Sequence, residues 1–293
     1  PLIQGIDAAG VLESGGGALI IGRRVIVKPT IPCRKCRWCQ SGRDADCANP
    51  TTFGIHRPGG FAEHITVPRR NVVYLPKGLS FVEGAAAAHV HSVVLRMMRA
   101  AREPREGDTV LVVGAGGALG TAAIQLASIL GARVIAVDTT AEKAAAAKAL
   151  GAATTITVDR SNPEAGFAGA VLEATEGQGV DLVLDASGVP SVIAEAASAL
   201  GRGGRLVFVA SPPGATIPVE LNHLYRNRQA IIGSAGSARQ DVVDALRMLS
   251  DNDVNPMIAA TYPLADAAAA MEKVLDPNRI GKVVIEVREP DEG

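Results

Sequence analysis

Residues Thr109 to Asp138, TVLVVGAGGALGTAAIQLASILGARVIAVD, constrain the fold more than any other stretch. Thr109 to Val113 are β-rich and apolar, glycines follow at 114, 116, 117 and 120, and an apolar segment from Thr121 to Leu130 leads into Gly131. The order is strand, glycine turn, helix, stop. A second β-branched run, Arg133 to Val137, ends in Asp138, so the unit is βαβ with a parallel sheet buried on both faces. The turn from Gly114 through Gly116, Gly117, Ala118 and Leu119 to Gly120 aims backbone N–H groups and a positive helix end at an anion. Its glycines allow a pyrophosphate to come close to the backbone. Asp138 stands where an acid bonds a ribose 2′-hydroxyl. The spacing is one residue longer than a strict GxGxxG, and a tight turn in any α/β domain is the plainer alternative. The sequential order of strand, turn, helix, strand and terminal acid favours a dinucleotide site.

Charge and length narrow the class further. The 293 residues carry 29 Lys and Arg against 30 Asp and Glu, with the basic residues spread out, which argues against a nucleic-acid partner. No apolar run approaches the ~20 residues that span a bilayer, and no charged-then-apolar leader is present. The expectation is a soluble, cytoplasmic protein with no membrane partner. The chain opens at Pro1 without an initiator Met, so the missing leader weighs little.

Before residue 90 the sequence reads as strands and loops, with strand-like runs at Ala8 to Leu12, Val25 to Val27, Gly59 to Val67 and Asn71 to Leu75. Helical character is expected at Val82 to Ala88 and again at Ser92 to Ala101. From Thr109 onward strand and helix alternate, including a helix from near Asn162 to Thr175, which predicts a doubly wound α/β sheet. After about 235 the pattern changes to a helix with Val242, Val243, Leu246 and Leu249 on one face, a helix from Asp266 to Leu275, and a strand from Lys282 to Val287. This tail is expected to rejoin the first domain, giving residues 1–91 and 235–293 as one domain and 92–234 as an inserted one.

All four cysteines, Cys33, Cys36, Cys39 and Cys47, lie in one segment spaced C-x2-C-x2-C-x7-C. Two disulfides suit a secreted domain, and an iron–sulfur cluster has a related spacing, but its last cysteine usually comes sooner and precedes proline. Four thiolates in a loop fit a closed, tetrahedral, structural zinc site best.

Taken together, GIDAAGV at 5 to 11, the cysteine lobe, GGFAEHITVP at 59 to 68, GDTVLVVGAGGALG at 107 to 120, VDLVLDASG at 180 to 188 and GKVVIEV at 281 to 287 resemble the medium-chain dehydrogenase/reductase superfamily, the zinc-type alcohol dehydrogenases and their quinone and enoyl reductase relatives. The resemblance implies a GroES-like β-rich catalytic domain with an inserted Rossmann domain, NAD(H) or NADP(H), a small-molecule substrate, and homodimers or homotetramers. It also implies cofactor contacts at Ser187 and Gly188, at Ala210 and Ser211, at Ser234, Ala235 and Gly236, and at Lys282, for which an exposed strand-start lysine is an equal reading. Asp138, with no Arg in the next three residues, favours NAD over NADP.

Departures from the family pattern bear on the chemistry. Members begin about sixty residues earlier, where they supply a first cysteine ligand of a catalytic zinc. The second ligand is the histidine of Gly-His-Glu, and here the residues are Gly5-Ile6-Asp7. Isoleucine has no lone pair. The third would fall near Ala88 or His89, with Ser92 as the hydroxyl residue. His89 and His91 are candidates for proton donor and substrate contact, with hydrogen-bonded packing as the favoured plain reading. His56 and His64 read as structural, and His223 as a loop residue of no evident role. The expected activity is hydride transfer between NAD(P)H and a small carbonyl or conjugated alkene, without a catalytic zinc. A zinc-dependent alcohol dehydrogenase and a non-catalytic cofactor binder are the alternatives.

Overall fold

The βαβ stretch supplies two adjacent strands of a six-stranded parallel sheet in a computed structural model that describes residues 2–159 and 166–287. The chain divides into two compact units, Pro1–Val93 with Gly236–Gly293, and Val94–Ala235.

In chain order the first unit contains β1 (Ala8–Val11), β2 (Arg24–Val27), β3 (Thr30–Ile31), α1 (Arg37–Gln40), β4 (Thr51–Thr52) and β5 (Val72–Tyr74). Then α2 (Phe81–Ala101) begins. Strands β1, β2 and β5 form an antiparallel sheet in that order, and β3 pairs with β4. Ser80 and Glu83 cap α2 reciprocally: Ser80 N–H donates to Glu83 Oε2 at 2.7 Å and Glu83 N–H to Ser80 Oγ at 3.2 Å. The alanine-rich segment then runs as one helix where the sequence suggested two.

In the second unit come β6 (Thr109–Val113), α3 (Ala118–Ile129), β7 (Arg133–Asp138), α4 (Ala141–Ala149), β8 (Thr154–Thr157) and α5 (Ala168–Ala174). They are followed by β9 (Val180–Asp185), α6 (Pro190–Ser198), β10 (Leu200–Phe208), α7 (Leu221–Asn227) and β11 (Ala230–Gly233). The strand order is β11-β10-β9-β6-β7-β8, all parallel. Val110 to Val113 and Leu182 to Leu184 are at most 4% exposed, as a sheet covered on both faces requires. Gly131 and Gly151, at φ +81° and +112°, end α3 and α4 alike. In each case the following N–H reaches back five residues, Ala132 to Ala127 O and Ala152 to Ala147 O, both 3.0 Å.

The chain returns to the first unit with α8 (Arg239–Asp251), β12 (Ile258–Pro263), α9 (Ala267–Leu275) and β13 (Lys282–Glu286), where β12 and β13 pair in parallel. No helix among the described residues is long and apolar enough to cross a membrane.

Several local expectations change. Residues 59–67 contain no strand. The Gly59, Gly60 and Phe61 N–H groups bond the carbonyls of Ile3, Gly5 and Gln4, and Gly59 packs so tightly on Gly5 O that the segment is a close loop. His223 is on α7 rather than in a loop, behind Glu220, whose carboxylate accepts from the Asn222 and His223 N–H groups at 3.0 and 2.8 Å. The expected helix start near Asn162 lies outside the described residues; among those described, α5 begins at Ala168.

Candidate cofactor and metal sites

Each sequence-predicted cofactor residue of the second unit follows the C-terminal end of a strand in the same parallel sheet. Gly114 to Gly120 follow β6, Asp138 ends β7, Ser187 and Gly188 follow β9, Ala210 and Ser211 follow β10, and Ser234 and Ala235 follow β11. The chain builds outward from β6 in one direction to β8, then returns to start β9 on its other side. Open α/β sheets bind ligands at this reversal, outside the strand ends.

The glycines are there for space. Gly114 adopts φ +78°, and a Cβ on it would lie 3.2 Å from Ser187 N, so the first turn rests against the second. A Cβ on Gly120 would collide with Gly114 O, which fixes how closely α3 approaches the turn. Ala118, Leu119 and Gly120 supply first-turn N–H groups of α3, the kind a helix leaves without a carbonyl of its own and that can receive an anion. Gly188, at φ +66°, packs in turn on Ala210, whose O would lie 3.1 Å from a Cβ there. Ala210, Ser211, Ser234 and Ala235 line one cavity of ≈ 240 Å³ with Phe208, Val209 and Gly233.

Asp138 is 7% exposed and makes several polar contacts. Its Oδ2 accepts from Gly116 N–H at 2.7 Å, and its Oδ1 from Thr139 N–H at 2.7 Å. Lys143 Nζ lies 3.1 Å from Oδ1. Burial alone would raise the Asp138 pKa, but the two N–H groups and the Lys143 charge outweigh it and hold the carboxyl below its ordinary value. Lys143 was not singled out from the sequence. Its signal is position: α4 starts at Ala141, so residue 143 turns back toward the strand end, and its stem covers Gly116.

Asp185 was missed as well. It is wholly buried, accepts from Ser187 Oγ at 2.6 Å and Gly188 N–H at 3.0 Å, and so shapes the second turn. Burial pushes its pKa up against those bonds.

In the first unit the four cysteines bring their sulfurs within 4.8 Å of one another, and all are free thiols. Cys33 N–H donates to Cys47 Sγ at 3.1 Å, and the Cys36 and Cys39 sulfurs are 3.6 Å apart. Backbone N–H groups of Ala48 and Cys39 lower Cys36 to about 6, while desolvation pushes Cys39 up to about 12. A donor set that crowds four sulfurs and already favours one thiolate suits a tetrahedral cation of the zinc type. It is the one group of three or more His, Cys, Asp or Glu among the described residues that could hold a metal.

The remaining candidates of this unit divide. Lys282 Nζ is 2.6 Å from Asp7 Oδ2, an inward ion pair with side chains 28% and 10% exposed. Asp7 Oδ1 and His89 Nδ1 are buried without hydrogen-bond partners. Burial lowers the His89 pKa, Asp7 opposes that, and Lys282 and Lys28 add to it. Ser92 is fully buried, with Oγ 2.9 Å from both His89 O and Ser237 Oγ, and His91 is 2% exposed. Gly5 and Gly60, from two of the resembling motifs, meet through the Gly60 N–H to Gly5 O bond of 2.8 Å, which sets the Ile6-Asp7 backbone. Gly236 opens the returning segment at φ +61°.

Family models match both parts of the chain: an alcohol dehydrogenase GroES-like domain over residues 1–77 and a zinc-binding dehydrogenase over 118–251. An acryloyl-coenzyme A reductase of Sulfurisphaera tokodaii is 30% identical over 97% of this chain and 83% of its own length. The chain belongs to the medium-chain dehydrogenase/reductase superfamily. This dehydrogenase/reductase is also 30% identical to an NAD-dependent alcohol dehydrogenase of Saccharolobus solfataricus, over 97% of the chain and 82% of the relative. A crystal structure of an NAD-dependent alcohol dehydrogenase superposes with a TM-score of 0.87 at 31% identity, covering 98% of this chain and 83% of that one. The medium-chain enzyme is therefore an oxidoreductase, of a family that uses NAD(P) and zinc.

Proposed function

We propose that the enzyme transfers hydride between NAD(H) and a small conjugated alkene or carbonyl compound, with zinc held only by Cys33, Cys36, Cys39 and Cys47. The observation that carries the cofactor reading is the Asp138 carboxylate bonded to Gly116 N–H inside the glycine turn. That anion would accept from a ribose 2′-hydroxyl and repel a 2′-phosphate, so NAD is preferred to NADP even with Lys143 nearby. The nicotinamide supplies the hydride when bound. The protein supplies the rest: N–H groups for the pyrophosphate, Ser187 and Gly188 beside the turn, and the cavity at Ala210, Ser211, Ser234 and Ala235.

The four cysteines fit a structural cation, whose role is to hold their lobe together. A catalytic zinc does not fit the residues of the first unit. Ile6 offers no ligand atom, and the neighbouring Asp7 is paired with Lys282. Without that Lewis acid, activation of the acceptor falls to hydrogen bonding, for which His89 offers a buried Nδ1 with no partner of its own. This favours a conjugated thioester or enone over an alcohol, and similarity to an acryloyl-coenzyme A reductase supports the choice. Similarity to alcohol dehydrogenases supports the second reading, zinc-dependent alcohol oxidation. Strand β11 at the sheet edge supports self-association into a homodimer or homotetramer, which light scattering measures.

Metal analysis and turnover test the proposal together. One zinc per chain and faster oxidation of NADH than of NADPH by enoyl thioesters or enones are expected. Two zincs per chain, or turnover confined to alcohols and aldehydes, would move the assignment to the second reading. Tight NADH binding with no acceptor turned over would leave a cofactor binder.

A further inference from the structure

The first unit also contains a cavity of ≈ 650 Å³ to which no residue discussed above contributes a function. Arg34, Arg69, Arg70 and Arg239 line it, against one carboxylate, Asp44. Arginines elsewhere spend their charge on acids, as Arg43 does on Asp46, Arg99 on Glu103 and Arg102 on Asp108. Arg34, Arg69 and Arg70 have no such partner among the described residues. One carboxylate is fewer than the four arginines need, and the buried Lys28, 4% exposed, adds a further positive charge that faces both Asp44 and Asp241.

Neutral contacts shape the backbone around the cationic groups and anchor one of them, Arg239. Asn71, 1% exposed, pins the Arg69-Arg70 turn by donating from Nδ2 to the carbonyls of Lys28 at 2.7 Å and Thr30 at 2.9 Å. Arg69 lies directly over Gly17, at φ +71°, where a side chain would meet the guanidinium. Arg239 donates from Nη2 to Val72 O at 3.1 Å, so one edge is anchored and the other remains available. Tyr74 OH accepts from Ile20 N–H at 3.1 Å and ties the loop over the cavity to β5.

Guanidinium forks match phosphate oxygens two at a time. Four of them around a space larger than one phosphate select an anion with more than one phosphate group. We propose that this cavity binds a small polyphosphate, separate from the dinucleotide turn of the second unit. Inorganic pyrophosphate and the diphosphate of a nucleotide share that chemistry.

Calorimetric titration of the whole chain with pyrophosphate, and separately with ADP, tests this while saturating NADH fills the glycine turn. Saturable binding of one anion per chain is expected, weakening as salt rises and weaker for orthophosphate. Tighter binding of ADP than of pyrophosphate would identify a nucleotide as the occupant, and equal binding would identify the phosphates alone. The double variant Arg69→Gln, Arg70→Gln is expected to lose at least tenfold in affinity, with NADH binding and zinc content unchanged. Should that variant misfold, Arg70→Gln alone carries the test, because its side chain is exposed. No saturable binding of either probe at millimolar concentration, or equal binding by the arginine variants, would overturn the proposal.

Discussion

Asp138 combines two demands on one carboxylate. It closes the glycine turn through Gly116 N–H, and in the proposed function it must remain an anion for a ribose. Its lowered pKa gives a signed prediction. The stabilisation it contributes is complete above the ordinary carboxylate value of about 4 and is lost as pH falls through its own lower value. Chemical denaturation followed against pH should therefore show acid-side weakening that Asp138→Asn reduces. The same variant should bind NADH more weakly by about 1.5–3 kcal/mol, the usual worth of a charged hydrogen bond. The acid was legible in the sequence because it ends a strand in the right unit. Lys143 was not, since a lysine on an alanine-rich helix reads as solvated until the helix is placed, and Ile6 was legible only as an absence of ligand atoms.

At the level of elements, the long βα alternation declared itself through β-branched runs closed by Gly131 and Gly151. Short pieces did not. β3 and β4 have two residues each, too few for a period, and α7 depends on a Glu220 cap that looks like any surface acid. Gly59 to Val67 alternates like a strand, but its glycines let it close onto Gly5 instead. The contact of α3 with its turn yields the prediction for this scale. Gly120→Ala places a methyl group against Gly114 O, so α3 must shift away from β6. NADH affinity should fall by tenfold or more while far-ultraviolet dichroism is unchanged; unaltered affinity would mean that the approach of helix to turn is not needed.

Across the whole chain, the sheet of the second unit is stabilised from both faces. Leu111 is completely buried in the cluster with Ile135, Val183 and Leu206, so Leu111→Ala should cost about 2–5 kcal/mol in urea unfolding. In the first unit, cysteine spacing made the metal lobe readable, whereas the arginine cavity draws on four separate stretches of sequence and had no linear signature. The reversal of strand order has a kinetic consequence. β6 and β9 are neighbours in the sheet, yet the bond from Thr109 N–H at the start of β6 to the carboxylate of Asp181, the second residue of β9, spans 72 positions. Local βαβ pairs can assemble early, but this junction must wait until the intervening strands and helices have been threaded, because closing long loops is entropically slow. A nascent chain that stops short of β9 thus already carries every glycine of the motif, and lacks the wall at Ser187 on which Gly114 rests.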